Sequence, residues 1–164
     1  MLYKVISALN KIRPFPEASA HCDIPCGIYD PSAAQISALT VIRMIDLIEA
    51  IEGDSIADKA RLTRLVLQKE EHAEQVKKEV RIIWGDYCKA LQFEKVPGLH
   101  ELTHSIMMQA SKCRQSVDRG AALELLELVN KFAEEFWLTK GFATFKATCP
   151  YPPAEKVVYP KLTE

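Results

Sequence analysis

The chain has 164 residues, 48% hydrophobic and 26% charged, with a formal net charge of −1. That length suits one domain whose core needs no disulfide staples, and the near-neutral charge leaves no electrostatic footprint for nucleic acid or an anionic membrane. No uninterrupted apolar run reaches about 18 residues, so no transmembrane helix is legible.

Residues 1–20 read as a segment apart. Leu2, Val5, Ile6, Leu9 and Ile12 recur at helical spacing among Lys4, Lys11 and Arg13, and Pro14 and Pro16 then break the pattern. Ala18-Ser19-Ala20 follows, a small-residue run of the kind that proteases cut after. The run also resembles a signal-peptide cleavage site, but the apolar stretch is short and interrupted, so the segment is read as a removable propeptide rather than a secretion signal, the alternative being an amphipathic helix that stays on. Residues 21–31, HCDIPCGIYDP, form an irregular loop punctuated by Pro25, Gly27 and Asp30-Pro31. Asp30 suits a helix N-cap and Pro31 the first helical position.

Four helical patterns follow. The first spans about 31–51, with Ile36, Leu39, Ile45, Leu47 and Ile48 as apolar positions. The second starts at Ser55 as a cap and runs to about Cys88 through Leu62, Leu65, Val66, Ala73, Val76, Val80, Ile83 and Trp84. Lys69, Glu70, Glu74, Lys77 and Lys78 make its solvated face. After a loop at 93–98, the third covers about 99–117 and the fourth about 121–145. No strand pair is legible. The fold class is all-α, an antiparallel up-down four-helix bundle with an N-terminal loop, over residues 21–147. The tail at 148–164, with Pro150, Pro152, Pro153 and Pro160, is expected to lie extended over the bundle or a neighbouring subunit, or to be disordered.

Among five cysteines, Cys22 and Cys26 stand apart, because they flank a proline loop beside His21. One imidazole and two thiols within six positions can serve a soft-ligand metal site. From the bare residues, a local disulfide or two unrelated thiols remain open. The surrounding string adds weight. His21, Cys22, Asp23, Pro25, Cys26, Gly27, Tyr29, Asp30 and Pro31 resemble the nickel-binding hook that begins the mature chain of nickel superoxide dismutases. Weaker echoes of that family are Trp84, Asp86 and Tyr87 followed by Phe93-Glu94-Lys95, and Phe136-Trp137 with Thr139-Lys140.

The resemblance implies a helical bundle assembled as a hexamer and a nickel ion as cofactor. It implies ligation by the amine and ring of His21, the backbone nitrogen and sulfur of Cys22, and the sulfur of Cys26. Superoxide is the implied substrate, dismutated by Ni(II)/Ni(III) cycling. Tyr29 would stand over the open face, Asp23 would shape the hook, and Tyr87 would be a second tyrosine near that face. A plain turn aspartate and a core aromatic are the alternatives for Asp23 and Tyr87. The His21 nitrogen is a poor ligand while it is an amide, so the resemblance also implies a maturation protease cutting between Ala20 and His21. The expected compartment is the cytoplasm. A metal-holding protein without turnover, with copper or nickel in the same hook, is the competing reading.

Two positions depart from the family. Ser37 stands where members usually carry a glutamate, and His72 where they carry an arginine, a pair that helps to hold the hook imidazole. His72 could reach His21 itself, or be a surface histidine. His100 and His104 share a helical face but lack companion ligands, and Cys88, Cys113 and Cys149 read as packing thiols.

Overall fold

The computed structural model describes residues 26–162, and the leader reading therefore falls outside the described residues. Helix α1, Ser32–Glu49, begins where the Asp30 carboxylate accepts from the Ser32 amide at 2.7 Å. Pro31 takes the cap position itself, so the cap falls one residue later than the Asp30 of the sequence pattern. Ala34, Ala38, Val41, Ile42 and Ile45 make its fully buried stripe. Ile36, expected inside, is exposed.

Helix α2, Ile56–Ile82, starts as expected at Ser55. Ser55 Oγ accepts from the Asp58 amide at 3.1 Å, and the Asp58 carboxylate accepts from the Ser55 amide at 3.0 Å. The Ser55 hydroxyl also donates to that carboxylate at 2.6 Å, and this bond, with the one from the Ser55 amide, holds the Asp58 carboxyl below its ordinary range. Ala73, Val76 and Val80 bury one face of α2. Lys69 is buried with them, contrary to its place on the solvated face in the sequence pattern. The helix then widens into a π-helical turn, Ile83–Tyr87, which ends where the Cys88 amide reaches back to the Ile83 carbonyl.

A short helix α3, Ala90–Lys95, leads into α4, Leu99–Gln115. Lys69 explains how α4 ends. Its ammonium donates to the carbonyls of Cys113, Arg114 and Ser116 at 2.6, 2.8 and 2.8 Å, the groups a helix C-terminus leaves without partners. Helix α5, Arg119–Lys140, opens on the Asp118 carboxylate, which accepts from the Ala121 amide at 3.0 Å. It stops at Gly141, whose φ of +84° suits glycine, with the Phe142 amide closing on the Trp137 carbonyl. The helix is therefore shorter than the 121–145 pattern.

Helix α1 packs on α2 and α5, and α4 packs on the same two. Val76, Ile106, Leu125, Val129 and Phe132 belong to the shared core.

The tail carries the main difference from the sequence reading. It forms an antiparallel pair, β1 (Thr144–Thr148) and β2 (Lys156–Pro160), with Phe145 opposite Tyr159 and Ala147 opposite Val157. Val157 and Val158 are buried, and β2 lies against α5. The Asn130 carboxamide holds it there. Its oxygen accepts from the Val158 amide and from Gln35, its nitrogen donates to the Lys156 carbonyl, and Gln35 also donates to the Val158 carbonyl. Arg119 adds a second tie, donating to Asp46 at 2.7 Å and Glu155 at 2.9 Å. Short strands within a proline-rich stretch hid the pairing from the sequence pattern. Among the described residues, no helix is long and apolar enough to cross a membrane.

Candidate metal centre

Of the expected site residues, Cys26, Tyr29 and Tyr87 lie within the described residues, and His21, Cys22 and Asp23 lie outside them. Cys26 is exposed. Gly27 follows at a φ of +72°, a left-handed conformation that an L side chain rarely adopts, and turns the chain toward Tyr29. The Tyr29 ring lies 5.6 Å from the Tyr87 ring, centroid to centroid, tilted by 43°. The loop that carries Cys26 is thus packed against the end of α2 before α1 begins.

The π-helical turn supplies Tyr87, and α5 supplies everything beneath it. Phe136 packs on Tyr87 at 5.0 Å, and the Lys140 ammonium stands 4.5 Å from the Tyr87 ring centre. The Tyr87 hydroxyl meets Thr139 Oγ1 at 2.8 Å. From α3, Lys95 donates to the Thr139 carbonyl at 3.4 Å. Residues 136, 139 and 140 fall on one face of a helix by their spacing alone. That spacing groups Thr139 and Lys140 with Phe136, and only the tertiary fold brings the three to Tyr87.

The remaining cysteines have a different character. Burial pushes the thiols of Cys88 and Cys113 up to about 11, so both stay protonated near neutral pH and are poor ligands. Cys149 is buried as well, 3.2 Å from the Tyr151 carbonyl. Among the described cysteines, only Cys26 is exposed.

The two departures also have definite positions. Ser37 is buried and donates to the Ala33 carbonyl of its own helix at 2.8 Å. His72 bonds through Nδ1 to the Gln68 carbonyl at 2.8 Å. A carbonyl can only accept, so Nδ1 carries the proton and Nε2 is left to face other groups. His72 lines an open groove of about 730 Å³ with Leu67, Glu70, Glu74, Arg81 and Arg114.

His100 is not arranged as a ligand. Its Nδ1 accepts from the Trp84 indole at 3.1 Å, and its ring stacks on Phe93 at 4.2 Å. Among the described residues, no group of three or more His, Cys, Asp or Glu side chains could hold a metal ion. The expected donors His21 and Cys22 precede the described residues.

The family model for nickel-containing superoxide dismutase matches residues 16–140. The nickel superoxide dismutase of Streptomyces coelicolor is 36% identical over 127 residues, covering 77% of this chain and 93% of that protein. The corresponding enzyme of Streptomyces seoulensis is 34% identical with the same coverage. The native 1.30 Å structure of a nickel superoxide dismutase superposes with a TM-score of 0.66 at 34% identity, covering 73% of this chain and 99% of that one. The strand pair at 144–160 lies beyond the residues that the family model matches.

Proposed function

Because the chain belongs to the nickel-containing superoxide dismutases, we propose that its reaction is carried by a hook that starts at His21 and closes through Cys26. The donor chemistry fits nickel. Cys26 offers an exposed soft sulfur, Cys22 offers a second, and the amine and ring of His21 offer nitrogen. Nickel in that set supplies the one-electron exchange by which two superoxide anions and two protons become dioxygen and hydrogen peroxide.

The chain's own residues do the rest. Gly27 bends the loop so that Cys26 and Tyr29 share one end of the bundle. Tyr29 and Tyr87 stand together as the wall that limits what reaches the hook, and Asp23 shapes the hook from within. Lys140 places positive charge over Tyr87, which favours the approach of an anion. The observation that carries this reading is the Tyr29–Tyr87 contact at 5.6 Å beside an exposed Cys26.

The finer reading has further parts. The long helices form an antiparallel up-down four-helix bundle, supported by their pairwise packing and short connections. Residues 1–20 are a leader whose removal by a protease converts the His21 nitrogen from an amide to an amine. The mature protein assembles as a hexamer and works in the cytoplasm, where its buried thiols stay reduced.

The test is metal analysis and superoxide assay of two preparations, the chain beginning at Met1 and the chain beginning at His21. The reading expects one nickel and activity only in the second. Equal nickel content and equal activity in both would refute the hook.

A further inference from the structure

We propose that Thr139 is a positioning residue for the reaction: it accepts the hydrogen bond donated by the Tyr87 hydroxyl and leaves Tyr87 able only to accept hydrogen bonds on the side of Tyr29. The inference rests on the assignment of Tyr87 to the site wall. Its basis is a count of protons. Thr139 Oγ1 lies 2.6 Å from the Phe136 carbonyl and 2.8 Å from the Tyr87 hydroxyl. A hydroxyl has one proton, and a carbonyl can only accept. Thr139 therefore donates to Phe136, and the bond to Tyr87 is donated by the phenol.

The surroundings hold that polarity in place. Thr139 is 9% exposed, so water does not readily replace the phenol as its partner. Phe136 at 5.0 Å and the Lys140 ammonium at 4.5 Å both pack on the Tyr87 ring. A phenol whose proton points into the protein cannot hand that proton to a peroxide without breaking a buried hydrogen bond. It can, however, accept from a donor that enters beside it, whether water or the Tyr29 hydroxyl. Tyr87 thereby orients a proton donor, and the two protons consumed in each full cycle come from that donor or from solvent.

The experiment combines a spectrum with kinetics. The Raman ring doublet of tyrosine reports whether a phenol donates or accepts, and subtracting the spectrum of Tyr87→Phe isolates Tyr87. Native protein is expected to show a donating Tyr87, Thr139→Ser to keep that signature, and the isosteric Thr139→Val to lose it. In nickel-loaded protein, Thr139→Val is expected to lower the rate about tenfold, as losses of outer hydrogen-bond partners do, and Thr139→Ser to restore it. The double variant Thr139→Val/Tyr87→Phe should be no slower than Tyr87→Phe alone. An unchanged Tyr87 signature in Thr139→Val, or losses that add fully in the double variant, overturns the inference. Full activity in Tyr87→Phe instead overturns the placement of Tyr87 in the site wall, and this inference falls with it.

Discussion

The Lys69 ammonium lies 2.6 Å from the Cys113 carbonyl oxygen, so a buried charge from α2 closes the end of α4. Burial pushes the Lys69 pKa down, and two more carbonyls join the first around the ammonium. Lys69→Met keeps most of the volume and strands three carbonyls. It is expected to destabilise the fold by about 2–4 kcal/mol, read by urea denaturation. A variant as stable as the native chain would show that the carbonyls find water.

The start of α2 predicts a response to acid. Side-chain and backbone bonds from Ser55 hold Asp58 below its ordinary 3.8. A carboxylate with a depressed folded pKa contributes stability above its unfolded value and loses it as the pH falls through the folded one. Stability should therefore decline below about pH 4, and less steeply in Asp58→Asn. Thermal midpoints measured from pH 6 down to pH 2.5 would show the difference in slope. Parallel curves would remove the capping box as a cause.

Asn130 is fully buried and bonds β2 through both ends of its carboxamide. Asn130→Leu leaves the Val158 amide and the Lys156 carbonyl without these partners and is expected to cost about 2–3 kcal/mol. Hydrogen exchange should locate the loss at the Val158 amide. Protection unchanged there would mean that the hairpin is held by its valines alone.

The cysteines should divide by exposure. Cys26→Ser is expected to abolish nickel binding in the chain that begins at His21. Cys113→Ala should keep a full nickel complement, because that thiol is buried and held protonated. Elemental analysis of both variants decides it, and nickel retained by Cys26→Ser would remove Cys26 from the ligand set.

Lys140 faces Tyr87 and should act at a distance on an anionic substrate. Lys140→Met is expected to lower the rate about fivefold at low ionic strength and to weaken its salt dependence. Pulse radiolysis at several salt concentrations measures both. A slower variant with the native salt slope would assign Lys140 to packing instead.

Much of this was legible beforehand. The Ser55 cap and the core stripe of Ala73, Val76 and Val80 follow from local pattern, whereas the turn read at 118–120 falls at 116–118 because Arg119 and Gly120 already open α5. Lys69 was misplaced because a lysine among glutamates reads as solvated, and only the tertiary fold brings helix-end carbonyls to it. The end of α5 was overextended past Gly141, although a glycine after a helical run is a stop signal. Tyr29 and Cys26 are singled out by family resemblance. The place of Thr139 beneath Tyr87 was not legible, since the two are 52 residues apart in sequence.

The widened turn at Ile83–Tyr87 has one more consequence. In a regular helix each residue advances the azimuth by about 100°, so losing one position from this turn would swing Tyr87 away from Phe136 and Tyr29 together. Exchanges of side chain within 83–86 should be forgiven there more readily than any change in chain length. The turn behaves as a phase lock: it sets the angular bearing of the wall tyrosine by counting residues.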